Sequence, residues 1–365
     1  MGSPCFSSIN LKMKSMSSLL LLFPFLYAFQ VLKWCFYLKK KDRQEEVFSG
    51  KVSWVVPFKN EEKNLDDFFR SIQQQSCFPV ELILVDDGST DASVEVINRW
   101  IPTFSFPVIL MENQGKGKKR ALTQAIEIAK GEIVVCSDAD CTFSPQFLHS
   151  ISQPFSRSKV VWVSGRVVFH SNGSFWKEVL AAENEGLQAI TAASIRANQP
   201  TMANGAAMAF RKSTFHEVGG YRGLEHLASG DDELLLHRLW GKGDLVYAEN
   251  AVVTTHSVSS WAAFWRQRKR WVSKSGDYEN KGMQTTMLVA WLSRCSWLIS
   301  MGGINYFGGE ILLFSSIFLI LPEVILLQIW GLSLFRAILH VFIQGIYSLY
   351  VVFIPFLSKI PERKT

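Results

Sequence analysis

Acidic residues recur in this sequence as close pairs, each just after an apolar run. Asp138 and Asp140 stand two apart behind EIVVC. In extended chain, side chains two apart point the same way, so both carboxylates can share one hard divalent cation. Such a cation would bridge the phosphates of a nucleotide and neutralise a departing diphosphate. Asp86 and Asp87 precede Gly88 and Ser89. Gly88 permits a tight turn, and the carboxylates can accept hydrogen bonds from a base N–H or ribose hydroxyls. The same turn lets Thr90 or Asp91 cap the next helix. Gln114, Gly115, Lys116, Gly117 and Lys118 form a cationic loop suited to a diphosphate, though without the Walker spacing; a solvated lysine run has the same composition.

Asp231 and Asp232 follow Gly230 at a helix start. First-turn acids answer the helix dipole there, and the chemical role open to them is removal of a proton from a hydroxyl. The stretch WAAFWRQRKRWVSK (261–274) sets Trp261, Phe264, Trp265 and Val272 at helical spacing, with Arg266, Arg268, Lys269 and Arg270 beside them. That pattern suits an amphipathic helix in a membrane interface. Gln267 and Trp271 lie four apart on one face, able to hydrogen-bond and stack a sugar while an arginine meets phosphate.

These residues need a scaffold, and the apolar pattern supplies one. VSWVVPF (52–58), ELILVDD (81–87), FPVILME (106–112) and EIVVCSDAD (132–140) read as strands. Helical stretches marked by Leu65, Phe68, Phe69 and Ile72, by 91–100, and by Ala121, Leu122, Ala125, Ile128 and Ala129 alternate with them. Near-continuous apolar strands alternating with helices predict an α/β fold with a doubly wound, mostly parallel sheet. In such sheets ligands bind beyond the carboxyl ends of the strands, where Glu61, Asp86, Asp87, Asp138 and Asp140 fall.

The chain has 365 residues, 48% of them hydrophobic and 19% charged. Residues 1–39 and 287–357 hold four charged side chains each, whereas 40–286 hold the share usual for a soluble domain. This excludes a plain soluble protein, a disordered chain and a multispan transporter. The net charge of +6 concentrates beside apolar runs, in Lys39, Lys40, Lys41, Arg43, Lys359, Arg363 and Lys364. Basic residues so placed indicate the cytoplasmic face of a membrane. No basic and aromatic interleaving of the RNA-binding kind is present, so nucleic acid is not an expected partner. Six cysteines without a CxxC predict reduced thiols. Residues 15–32, extendable to Leu38, are long enough to span a bilayer and end in WCFYLKKK, which offers no small-residue cleavage site. The runs 295–309, 311–335 and 337–358 predict two or three further spans, the firmest at 338–357.

In order, VPFKNEE, ELILVDDGSTD, NQGKGKK, SDAD, GGY, GDDELL and QRKRW resemble the motif set of family 2 glycosyltransferases of the GT-A fold. QRKRW is similar to the QxxRW signature of membrane-bound members such as cellulose and hyaluronan synthases. The resemblance covers residues 50 to 275 and implies a nucleotide-diphospho-sugar donor. It assigns Glu61, Asp86 and Asp87 to the base and ribose, Lys116 to the diphosphate, and Asp138 and Asp140 to the nucleotide with Mg²⁺ or Mn²⁺. Asp232, with Asp231 beside it, would be the catalytic base of an inverting transfer. Gln267, Arg268, Arg270 and Trp271 would shape the acceptor and diphosphate end. His256 is a third candidate for the metal, a structural histidine being the other reading.

The expected organisation is a membrane anchor (1–40), a cytosolic GT-A domain (41–256), an interface helix region (257–285) and C-terminal spans with a basic tail (286–365). Gly-Asp-Asp stands where the large synthases have Thr-Glu-Asp, and the spans are few for a polymer channel. The resemblance therefore implies transfer of one or a few sugars to a lipid-linked or glycan acceptor at the cytoplasmic face, as in a bacterial inner membrane. A processive polysaccharide synthase and an inactive membrane-anchored nucleotide sensor are the alternatives.

Overall fold

The computed structural model describes residues 4–39, 47–170, 174–225, 227, 229–273, 281–341 and 343. Two compact units result. One comprises Lys41–Asn184 and Ser194–Glu279; the other comprises Met1–Lys40, Glu185–Ala193 and Asn280–Thr365. In this division 257–279 group with the sheet and 185–193 group with the terminal segments.

Helix α1 (Pro4–Leu38) precedes the sheet unit. That unit then runs β1 (Val52–Phe58), α2 (Leu65–Gln73), β2 (Glu81–Asp86), α3 (Ser93–Trp100), β3 (Val108–Glu112), α4 (Lys118–Ile128) and β4 (Ile133–Cys136). It continues with β5 (Thr142–Phe143), α5 (Phe147–Ser152), β6 (Val160–Phe169), α6 (Phe175–Arg196), β7 (Met208–Arg211), α7 (Lys212–Glu217), α8 (Glu233–Leu239), β8 (Asp244–Thr255) and α9 (Trp261–Ser273). The strands make one sheet in the order β3-β2-β1-β4-β7-β6-β8-β5. The first four pair in parallel. Beyond β4 the sheet is mixed, because β7 runs antiparallel to both β4 and β6, and β5 runs antiparallel to β8. The long connection through α6 brings the chain back in the opposite direction, which the apolar pattern of single strands does not encode.

Strand periodicity explains the two cores. Trp54, Val56, Leu82, Leu84, Ile133 and Val135 point to one face, where α2, α3 and α5 bring Leu65, Phe68, Phe69, Ile72, Ile97 and Phe147. Val55, Ile83, Val85, Val134 and Cys136 point to the other, against Ala121, Leu122 and Ala125 of α4 and Leu235, Leu236 and Leu239 of α8. Alternate residues of one strand therefore serve opposite layers, as the two-unit period of a strand requires. Full burial of each large apolar side chain contributes about 1.5–3 kcal/mol. Trp54 is wholly buried, and its indole N–H donates to Ser137 Oγ at 2.8 Å, so this side chain meets its one polar need inside the core.

In the second unit, α1 packs with α10 (Lys281–Gly302) and α12 (Gly309–Trp330); the short α11 (Ile304–Phe307) lies between those two in sequence. Ser17–Leu38 and Gly309–Trp330 are each long and apolar enough to cross a membrane. Twenty-two residues at about 1.5 Å rise reach roughly 33 Å, a bilayer's hydrocarbon thickness. The helix boundaries correct two of the expected runs. Residues 295–302 are the end of α10, which begins at Lys281, and the run from 311 stops at Trp330, where Gly331 (φ +102°) terminates α12. Most of the expected span at 338–357 lies outside the described residues. Within the unit, Arg294 and Tyr27 both donate to the buried carboxylate of Glu323, which gives each polar group a partner among apolar helices. The Trp330 indole N–H donates to Glu185 at 2.9 Å. Gly186 leaves room for the buried His340 ring: a Cβ there would come within 2.1 Å of it.

Candidate active site

The loops after β1 and β2 interlock before any ligand is considered. Asn60 takes a left-handed conformation (φ 57°), which asparagine tolerates better than most residues. Its Oδ1 accepts from Thr90 N at 2.7 Å, and its own N–H donates to Ser89 Oγ at 3.0 Å. Glu61 N donates to Ser93 Oγ at 2.8 Å, while its carboxylate accepts from Asn64 Nδ2 at 2.7 Å. Burial raises the Glu61 carboxyl above the usual range. Donation from Asn64 opposes this, and the negative charges of Asp140 and Asp138 add to it. Glu61 therefore lies within electrostatic reach of the D-x-D acids, as the strand-end placement anticipates.

Asp86 Oδ1 accepts from Ser89 N at 2.8 Å and Ser89 Oγ at 2.6 Å, closing the turn that Gly88 (φ 83°) permits. Asp87 Oδ1 accepts from Asn113 Nδ2 at 2.6 Å and from Gly117 N at 2.9 Å. The second acid thus fixes the glycine loop that opens α4.

That loop presents Lys118 at the centre of the site, while Lys116 is exposed. The Lys118 ammonium donates to Asp138 Oδ1 at 2.7 Å and pairs with Asp231 Oδ2 at 2.8 Å. Burial disfavours the ammonium, but the two carboxylates outweigh it and hold the lysine pKa well above its ordinary value. Burial pushes the Asp138 carboxyl up, Lys118 opposes this, and the charge of Asp140 reinforces it. For Asp231 burial acts in the same sense, yet Lys118 prevails and holds the carboxyl below the usual range.

Asp138 and Asp140 are not in extended chain. β4 ends at Cys136 and a turn begins at Ala139, so strand alternation is not what sets their directions. Among the described residues Asp140 accepts from the Cys141 thiol at 3.4 Å and the Thr255 hydroxyl at 3.3 Å. His256, next after Thr255, is exposed and stands against His170 with ring centroids 5.1 Å apart. Among the described residues no three His, Cys, Asp or Glu side chains gather into a metal-holding group.

Asp232 caps α8: its Oδ1 accepts from Glu233 N at 2.7 Å, and its Oδ2 from Gly205 N at 3.1 Å. Its side chain is partly exposed, whereas Asp231 is buried and its backbone carbonyl accepts from Tyr221 Oη at 2.9 Å. On α9, Gln267 and Trp271 are half-buried and Arg270 is exposed. Arg268, expected to shape the acceptor and diphosphate end, is buried and ion-paired with the buried Glu183, its guanidinium 4.6 Å from the Phe264 ring and 4.2 Å from that of Trp271. It braces the aromatic face of its helix from within.

Sequence reading placed Lys118 in the cationic loop without singling it out, and missed Lys119, Gly205, Tyr221 and Glu183. The two lysines were visible as the continuation of GKGKK at the first turn of a helix, where choosing among four closely spaced cations needs the fold. Nothing local marks Gly205 or Glu183.

Comparison with known proteins agrees with this geometry. Residues 53–219 match the model of Glycosyl transferase family 2. The glycosyltransferase GlyG of Streptococcus pneumoniae is 27% identical over 201 residues, 52% of this chain and 64% of that protein. The bactoprenol glucosyl transferase of Shigella phage SfV is 32% identical over 93 residues, 25% of this chain and 30% of its own. The chain thus spans less than two thirds of the length of these curated relatives. The structure of the mannosyltransferase PcManGT from Pyrobaculum calidifontis, in complex with GDP-Man and Mn²⁺, superposes with a TM-score of 0.62 at 19% identity, covering 93% of this chain and 95% of that one. The acid-bearing loops at the strand ends, the sheet order and these likenesses converge: residues 53–219 of this chain are similar to a glycosyltransferase family 2 domain, and the fold is GT-A-like.

Proposed function

We propose that the protein transfers a sugar, with inversion, from a nucleoside-diphosphate donor to a hydroxyl of a lipid-linked or membrane-associated acceptor, with Asp232 as general base. The observation that carries this is the Lys118 bridge. One ammonium joins the acid after β4 to the acid before α8, so donor-side and acceptor-side groups share one polar centre. Of the two neighbouring acids, Asp232 is the one open to an acceptor hydroxyl. Lys118 occupies the buried Asp231 carboxylate, while two backbone N–H groups orient Asp232, which is partly exposed.

Glu61, Asp86 and Asp87 would hold base and ribose, and the Gly115–Gly117 loop with Lys116 would meet the diphosphate. The chemistry of the acids fits Mg²⁺ or Mn²⁺, since oxygen ligands suit both and Asp140 accepts from the weak thiol donor of Cys141 and the Thr255 hydroxyl. Asp140 with Asp138 would hold the ion, substrate phosphates completing its shell, and the ion would neutralise the departing diphosphate. Gln267, Arg270 and Trp271 would line the acceptor end, with Arg268 supporting Trp271. A membrane-borne acceptor, presented at the cytoplasmic face, is supported by the two membrane-length helices, the basic residues flanking the apolar runs, and the likeness to a bactoprenol glucosyl transferase.

Membrane preparations incubated with a panel of radiolabelled nucleotide sugars test the reading. Label is expected in the lipid extract, lost on adding EDTA and restored by Mn²⁺ or Mg²⁺. Label only in long polymer would instead identify a processive synthase, and no transfer from any donor would leave an inactive sensor.

A further inference from the structure

The segment from Tyr221 to Asp232 carries the candidate base, and other elements hold it in place. The Lys119 ammonium is 4% exposed and donates to the backbone carbonyls of Leu227 and Ser229, both at 2.6 Å. Burying an ammonium is costly unless its protons are taken up, and charge-assisted bonds of this length are the strong kind. Ser229 Oγ in turn donates to the Arg270 carbonyl of α9 at 3.4 Å, and Gly205 N donates to Asp232. The preceding residue on α4 is Lys118, which bridges Asp138 and Asp231. Two consecutive lysines in the first turn of α4 therefore grip one segment, by its carboxylate and by its backbone.

We propose that Lys119 is a positioning residue, holding the acid-bearing segment against the first turn of α4. The glycine loop meant for the donor diphosphate and the carboxylate meant for the acceptor hydroxyl then keep one register. The proposal rests on the glycosyltransferase reading above. It assigns Lys119 no contact with either substrate: its protons go to carbonyls of the protein, so its loss should misplace the base without weakening donor binding.

Lys119→Met and Lys119→Arg are compared with wild type as full-length protein, using UDP-glucose and GDP-mannose with Mn²⁺ and a membrane lipid extract. Hydrogen–deuterium exchange is followed without ligand. The methionine variant is expected to lose about 30-fold in kcat with donor KM within twofold, and arginine to restore most of the rate. Exchange in 222–232 should rise at least tenfold in the methionine variant, with β1, β2 and β4 unchanged. Unaltered kcat, a rise in donor KM at constant kcat, or unaltered exchange in 222–232 would each overturn the proposal. Should Lys119→Met fail to fold, Lys119→Gln, which keeps a polar but shorter and neutral end, carries the same comparison. If wild type uses neither UDP-glucose nor GDP-mannose, the exchange data alone support or overturn the clamp, and the glycosyltransferase reading is decided by the donor panel above.

Discussion

Asp231 and Asp232 are adjacent in the chain yet sit in different electrostatic surroundings. One is buried against an ammonium; the other is half-open and held by backbone N–H groups. Asp232→Asn keeps the side chain's size and one of its two backbone N–H contacts, turns an amide NH₂ toward the other, and removes the proton acceptor. It is expected to lower kcat by about 10²–10⁴-fold with donor KM little changed, measured by initial-rate kinetics. Lys118→Met should act differently, because it leaves Asp138 and Asp231 facing each other without their cation. Their charges are partly screened by solvent, so the expected cost is about 1–3 kcal/mol, read as a fall in Tm. At this scale the acids were legible in the sequence because a carboxylate pair after an apolar run is a local pattern. Which lysine meets them was not, since Lys116, Lys118 and Lys119 differ only in the direction that the turn at Gly117 (φ 94°) gives each side chain.

Helix α6 shows how one element serves two surroundings. Glu183 holds Arg268 of α9 and Asn184 Nδ2 donates to the Val167 carbonyl at 2.8 Å, while Glu185 accepts from Trp330. Gly186 admits His340. A methyl group at Gly186 has no free space, so Gly186→Ala is expected to lower stability by about 1–3 kcal/mol. The double variant with His340→Ala should recover part of that loss, and a double-mutant cycle of thermal unfolding measures the coupling. Had the cost at Gly186 come only from helix propensity, alanine would stabilise. The helices themselves followed from apolar spacing: α2 carries the marked residues Leu65 to Ile72, α4 carries Ala121 to Ile128, and α3 and α9 fall within a few residues of 91–100 and 261–274. Their partners did not, since the pattern marks a buried face without saying what covers it.

For the whole molecule, the uneven charge distribution and the helices Ser17–Leu38 and Gly309–Trp330 carry one prediction. The full chain should remain in the membrane pellet through a carbonate wash and be released only by detergent; release by carbonate would exclude helices that span. The sequence by itself determined the α/β class, the first four strands, the strand-end acids and the apolar termini, because each is a periodicity or a composition readable over a few residues. Only the tertiary structure decided that the sheet turns mixed beyond β4, that Lys118 joins Asp138 to Asp231, that Arg268 faces Glu183 within the protein, and that His256 pairs with His170. Each of these joins groups distant in sequence. Side-chain direction and strand order are set by what packs against what, and no local run of residues contains that information.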